Sequence, residues 1–215
     1  KQEFLSLPIM KSTYYQLGLR LISPKQGFNE TNQNLFQISI HTPNNVNLLL
    51  QLKVNETEYP GCLHTLCQRD ENQSDIFNCF LAPPVAGLYQ INIFANVNNE
   101  KQYRDAIEMR LRVPNIADAM TFPRFYAAFS QHKCILVEPL QRLIYRNSEI
   151  LIHMIIPLAN VVKIKNGEDF ISLIQDDYKN GILKKKLRVQ GDVCIHARWN
   201  DNADKIDTLC VFDLF

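Results

Sequence analysis

Apolar and polar positions alternate along most of this chain with a period of two, the spacing of a β-strand that buries one face and wets the other. The alternation is clearest in "NLLLQLKV" (47–54), "GLYQINIFANV" (87–97) and "GDVCIHARW" (191–199). Shorter apolar stretches read the same way: "LGLRLI" (17–22), "LFQISIHT" (35–42), "AIEMRLRV" (106–113), "KCILVEP" (133–139), "EILIHMIIP" (149–157), "NVVKIKNG" (160–167) and "DTLCVFDLF" (207–215). Asn, Pro and Gly punctuate them, as in "HTPNN" and "NVNNEKQ", where the backbone needs turn-forming residues. Helical periodicity is scarce. The pattern predicts an all-β chain.

The strands recur in two similar halves. Leu35 and Ile150 open strands 115 residues apart, and Pro43 and Pro157 close them 114 apart. Gly87 and Gly191 are 104 apart and Asp105 and Asp207 are 102 apart, so the second copy is shorter in its middle. Each copy runs strand, Pro-marked turn, strand, variable middle, Gly-led strand, short polar loop and last strand. That order predicts two tandem immunoglobulin-like β-sandwich domains, residues 1–117 and 118–215, each near the usual size of about 100 residues. "VPNIADAMTFP" (113–123) is the expected linker, with Pro114 and Pro123 at its ends. In "AGLYQINIFA", Tyr89 is placed as a tyrosine corner. The cysteines do not sit where an antibody-type inter-sheet disulfide needs them, and Trp199 ends a late strand instead of occupying an early central one.

Composition narrows the function classes. Hydrophobic residues make up 46% and charged residues 21% of 215, a mixture able to bury a sizeable core. Lys plus Arg number 23 against 22 Asp plus Glu, a net charge of +1. This balance gives no electrostatic reason to bind nucleic acid or an anionic membrane. Lys184, Lys185 and Lys186 form the only basic run and read as a solvated strand or turn face. No apolar run reaches the roughly 20 residues that span a bilayer. The chain starts at Lys1 and reads as an excised piece of something longer.

Six cysteines (Cys62, Cys67, Cys79, Cys134, Cys194 and Cys210) divide three to each half. An odd count cannot pair fully within a domain, so free thiols in a reducing cytoplasm are expected. Against that stand three glycosylation sequons, at Asn29, Asn55 and Asn72.

"CIHARWND" (194–201) places Cys, His, Trp and Asp within eight residues. Alternation puts Val193, Ile195, Ala197 and Trp199 on one face of a strand and Cys194, His196 and Arg198 on the other. Side chains two residues apart on a strand stand about 6–7 Å apart, too far for a thiolate–imidazolium pair. The stretch therefore reads as a sheet face. His41, His64, His132 and His153 are isolated, and "QRDENQSD" (68–75) lacks the spacing and glycine of a calcium loop. No catalytic, cofactor-binding or metal-ligating residue is assigned.

The opening "FLSLPIMKSTYYQLGLRL" (4–21), with Phe4, Leu7-Pro8, Tyr14-Tyr15 and Gly18-Leu19, resembles the segment after the transglutaminase-like core in kyphoscoliosis peptidase and hillarin-type proteins. "CFLAPPVAGLYQINIFA" (79–95) is similar to the family's Pro-x-x-Gly-x-Tyr strand phrase through Pro84, Gly87 and Tyr89. Residues 122–159, with Pro123, Glu138-Pro139 and Pro157, resemble the start of the next repeat, although Val193 stands where the first repeat has Tyr89.

The resemblance implies immunoglobulin-like domains that accompany a transglutaminase-like core, whose Cys-His-Asp triad would lie upstream. It also implies an intracellular, cytoskeleton-associated protein. The expected function is a non-catalytic interaction module binding a protein partner, cytoskeletal or the upstream core itself, without nucleic acid, membrane insertion or cofactor. Two alternatives are accessory domains that position substrate for that core and a secreted adhesion fragment.

Overall fold

The alternating stretches fold as strands in the computed structural model, which describes residues 7–54, 57–58, 61–98, 100–200 and 206–215. The chain divides into two compact units, Lys1–Met120 and Thr121–Phe215. The first contains β1 (Ile9–Met10), α1 (Ser12–Gln16), β2 (Arg20–Ser23), β3 (Phe28–Glu30), β4 (Phe36–His41) and β5 (Val46–Val54). It continues with β6 (Thr57–Glu58), α2 (Gly61–His64), β7 (Thr65–Arg69), β8 (Ile76–Leu81), β9 (Gly87–Val97) and β10 (Arg104–Val113). One sheet runs β2-β4-β8-β7. The other runs β1-β10-β9-β5-β6, with β3 also on β10. The opening segment thus serves both sheets: β2 lies antiparallel to β4, and β3 lies parallel to β10. The chain crosses between them beyond the cis Ser23–Pro24 bond.

The second unit repeats this order with β11 (Arg124–Phe125), α3 (Ala127–Gln131), β12 (Ile135–Glu138), β13 (Leu143–Ile144), β14 (Glu149–Ile155), β15 (Val161–Asn166), β16 (Asp169–Ile171), β17 (Tyr178–Lys179), β18 (Ile182–Arg188), β19 (Val193–Arg198) and β20 (Asp207–Leu214). Its sheets are β12-β14-β18-β17 and β11-β20-β19-β15-β16, with β13 parallel to β20. A second cis bond, Glu138–Pro139, falls between β12 and β13. The first four elements of each unit begin 115 residues apart: Ile9 and Arg124, Ser12 and Ala127, Arg20 and Ile135, Phe28 and Leu143. Both units are immunoglobulin-like sandwiches with one topology, as the repeated pattern predicts.

Period-two alternation fills each interior. In the first unit Leu50, Leu52, Tyr89, Ile91 and Ile93 from one sheet join Ile38, Ile40, Cys79 and Leu81 from the other in one buried cluster, each at most 2% exposed. In the second, Ile152, Met154 and Leu183 are buried in one sheet and Ile164, Ile195 and Phe212 in the other. Cys210 Sγ and Met154 Sδ meet across that core at 3.9 Å. Burying one such aliphatic side chain stabilises by about 1.5–3 kcal/mol, so these layers are the main source of stability in each unit.

Three sequence readings shift. "LGLRLI" begins in the turn after α1, and its strand is Arg20–Ser23. "QRDENQSD" is a loop only from Asp70, because Gln68 and Arg69 belong to β7. Trp199 lies just past the end of β19.

Tyr89 is a tyrosine corner: its hydroxyl donates to Val85 O at 2.5 Å and accepts from Val85 N–H at 3.2 Å. At the corresponding place of the second unit stands Val193, and Asn166 closes the corner instead. Its side-chain amide donates to Arg188 O at 2.9 Å, and its carbonyl accepts from Gln190 N–H at 2.9 Å. This pins the β18–β19 turn to the end of β15. Gly191 sits in that turn because a Cβ there would lie 2.5 Å from Gly167 Cα, leaving no room for a side chain.

Candidate functional site

The "CIHARWND" stretch forms β19, between β15 and β20. Val193, Ile195 and Ala197 are fully buried, which leaves Cys194, His196 and Arg198 on the outward face. Register places Cys194 between Lys165 and Val211, and His196 between Lys163 and Thr208. Thr208 Oγ1 lies 3.2 Å from His196 Nδ1, and the Phe170 ring lies 6.0 Å from the imidazole. Burial, and then the charges of Lys165 and Lys163, push the His196 pKa down, toward the uncharged ring. Burial, and then Asp192, push the Cys194 thiol up despite the opposing lysine. Both shifts run against the charge separation of an acyl-transfer pair. The arrangement is that of a sheet face.

The remaining histidines are spread over both units. His41 Nε2 lies 3.2 Å from Asp75. His64 is buried, with Nδ1 3.0 Å from Ala82 O. His132 stacks on Trp199 with ring centroids 3.5 Å apart, while the Trp199 indole N–H donates to Pro157 O at 2.7 Å. His153 lies on β14 opposite Lys184. Among the described residues no group of three or more His, Cys, Asp or Glu is placed to hold a metal ion, and no helix is long and apolar enough to cross a membrane.

The sequons differ in access. Asn29 is 7% exposed and its amide, the atom a glycan would take, donates to Gln26 O at 2.9 Å. Asn72 is exposed in the β7–β8 loop, and Asn55 lies outside the described residues. Cys67, Cys79, Cys134, Cys194 and Cys210 are free thiols.

Two sheet edges in the first unit, those of β5 and β2, are closed by the chain's own side chains. Arg69 reaches past the edge of β5, donating to Val46 O at 2.7 Å, Pro43 O at 2.9 Å and Thr42 Oγ1 at 2.5 Å. Its guanidinium lies 4.2 Å from the Phe77 ring, and Thr65 Oγ1 donates to Leu50 O at 3.3 Å. On β2, Leu21 N–H donates to Tyr14 Oη at 3.0 Å and Lys25 Nζ donates to Leu21 O. In the second unit β17 pairs only with Ile182 and Leu183, so β18 runs on as an edge strand from Lys185 to Arg188. Lys185 pairs with Asp177 at 2.7 Å. Lysines on an edge, one of them on the inward side, are a recognised guard against edge-to-edge pairing.

The outward face of β5, β9 and β10 is different. Register lines up three rows across it: Leu49–Phe94–Asp105, Gln51–Asn92–Glu108 and Lys53–Gln90–Arg110. The amides are linked, Gln90 Nε2 donating to Asn92 Oδ1 at 3.1 Å and Asn92 Nδ2 to Gln51 Oε1 at 3.3 Å. Lys11 Nζ lies 3.3 Å from Glu108 at one margin. A groove of about 410 Å³ runs over the middle row and the adjoining Lys53, Gln90, Phe94 and Asp105. It presents amide donors and acceptors from Gln51, Gln90 and Asn92, with charges of both signs, beside Phe94. The sequence carries half the signal, because period two puts Gln51, Lys53, Gln90 and Asn92 outward. The lateral alignment of three strands distant in sequence supplies the rest.

Two sandwiches whose opening segment serves both sheets, one with a tyrosine corner, define the immunoglobulin-like class. Within it, this chain belongs to the KY-like, immunoglobulin-like domain family, whose sequence profile matches residues 1–124. This is the kyphoscoliosis peptidase-type domain that the opening motifs resemble. No curated protein matches the chain in sequence. Among solved structures it is similar to an I-band fragment of titin at 10% identity and TM-score 0.26, covering 96% of this chain and 65% of the fragment's length. It is also similar to titin domains in complex with telethonin, at 12% identity and TM-score 0.26, over 92% of this chain and 95% of that one.

Proposed function

We propose that this chain is a non-catalytic, two-domain protein-interaction module of a kyphoscoliosis peptidase-type protein, acting in the cytoplasm on a cytoskeletal partner. The compact units are read as separate domains. The outward face of β5, β9 and β10 is the recognition surface.

The observation that carries this reading is the contrast between guarded edges and an open polar face. Side chains occupy the β2 and β5 edges and lysines guard β18, which disfavours strand addition there. The amide rows of the first unit offer paired donors and acceptors matched to polar groups of another polypeptide. Their mixed charge suits neither a phosphate backbone nor an anionic lipid surface. The shifts of His196 and Cys194, both toward their uncharged forms, support a role without catalysis in this chain. The secreted alternative loses the buried Asn29, leaving Asn72 as the exposed sequon among the described residues.

Cell fractionation tests the reading. Tagged chain is expected in the detergent-insoluble cytoskeletal fraction, and Asn92→Lys, on the open face, is expected to release it while the purified variant keeps its fold by circular dichroism. A chain that is fully soluble, or insoluble to the same extent with and without Asn92→Lys, contradicts it.

A further inference from the structure

The β7–β8 hairpin holds two thiols face to face. Cys67 and Cys79 are directly opposite in the register, and their sulfurs lie 3.1 Å apart. Cys79 is fully buried and Cys67 is half-buried at the edge strand, both as free thiols.

Backbone pairing explains why they meet. Ala82 N–H donates to His64 O and Asp70 N–H to Ile76 O, each at 2.9 Å, so hydrogen-bonded pairs recur at every second position between them. Cys67 and Cys79 fall on the intervening non-hydrogen-bonded site, where Cα atoms approach to about 4.5 Å and side chains are closest. That separation lies at the near end of the roughly 4.4–6.8 Å a disulfide spans.

We infer that Cys67 and Cys79 are an oxidation site, forming a reversible cross-strand disulfide by exchange with a small disulfide such as oxidised glutathione. The half-buried Cys67, as thiolate, attacks one glutathione sulfur, breaking that S–S bond and releasing one glutathione thiolate. Cys79 then passes its proton to the released glutathione thiolate and attacks the Cys67 sulfur of the mixed disulfide, releasing the second glutathione thiolate, which takes up the proton that Cys67 gave to solvent. The protein dithiol is oxidised by two electrons and one oxidised glutathione becomes two reduced molecules. The hydrogen bond with Cys67, and then burial, push the Cys79 thiol well up, which leaves the first attack to the more exposed Cys67; Cys79 takes the second because its sulfur already lies 3.1 Å from that of Cys67. The bond would join neighbours within one sheet, unlike the inter-sheet bridge of antibody domains, and would staple the strand bearing Thr65 and Arg69.

The test equilibrates the whole chain in oxidised and reduced glutathione under native conditions. Acid quenching, alkylation after denaturation and mass spectrometry follow, with fragmentation to assign the sulfurs. The expected product lacks two hydrogens, links Cys67 to Cys79, and returns to two alkylated cysteines after dithiothreitol. Cys134 and Cys210, which share neither the exposure nor the pairing, are expected to alkylate throughout. Full alkylation of Cys67 and Cys79, glutathione retained on Cys67, or a link from either to Cys62 would each overturn the inference.

Discussion

Tyr89 and Asn166 close the same corner by different chemistry. The tyrosine spends one buried hydroxyl on both polar groups of Val85, and the asparagine divides its amide between Arg188 and Gln190. Tyr89→Phe keeps the ring and loses the two bonds, so a loss of about 1 kcal/mol is expected for the first unit. Asn166→Ala strips partners from several backbone groups, and about 1–3 kcal/mol is expected for the second. Urea denaturation of each variant reads both, and a midpoint unmoved in either would remove that residue's role. His64 and His196 add a pH dependence. Burial first, opposed at His64 by the bond to Ala82 O and reinforced at His196 by Lys165 and Lys163, holds both below the ordinary histidine value of 6.5. The unfolded chain then binds more protons than the folded one, so the stabilisation is complete above pH about 6.5 and is lost as pH falls through the folded values. Unfolding free energy is expected to be lower at about pH 5.5 than at about pH 7.5, with a shallower decline in His196→Gln. An unchanged slope in that variant would contradict the assignment.

Strands with a wholly buried inner face were legible from alternation, and β9 spans the 87–97 read from the sequence. The β7–β8 hairpin was not, because the inner positions of β7 are Thr65, Cys67 and Arg69 instead of an apolar series. They face the rim of the sandwich, where Arg69 and Thr65 cap β5 carbonyls. The helices α1 and α3 escaped because each is a five-residue turn without a side-chain cap. The constant 115-residue offset from Pro8 and Pro123 through Pro24 and Pro139 was the available signal for this opening segment. The candidate face needed cross-strand register, which no single stretch contains. The edge guards make their own prediction. Arg69→Ala uncovers Val46 O and Pro43 O and loses the Phe77 contact. It is expected to destabilise the first unit by about 1–3 kcal/mol and to promote self-association through β5, visible by light scattering. A variant that stays monomeric at native stability would show that the edge needs no guard.

At the scale of the whole molecule, two sandwiches of one topology stand in tandem, each with its own buried layers. If they are separate domains, calorimetry of Gly191→Ala separates their transitions. The second unit is overpacked by a Cβ against Gly167, a cost of about 1–3 kcal/mol, while the first unfolds as before. A single shared shift would make the chain one cooperative body. Crosslinking in cells followed by mass spectrometry tests the proposed recognition of a protein by the open face of β5, β9 and β10. The expected result is a defined protein joined through Lys11 or Lys53, at the margins of the groove, and its loss in the folded Asn92→Lys variant. No crosslinked protein on that face, or the same protein crosslinked equally in the variant, would contradict it.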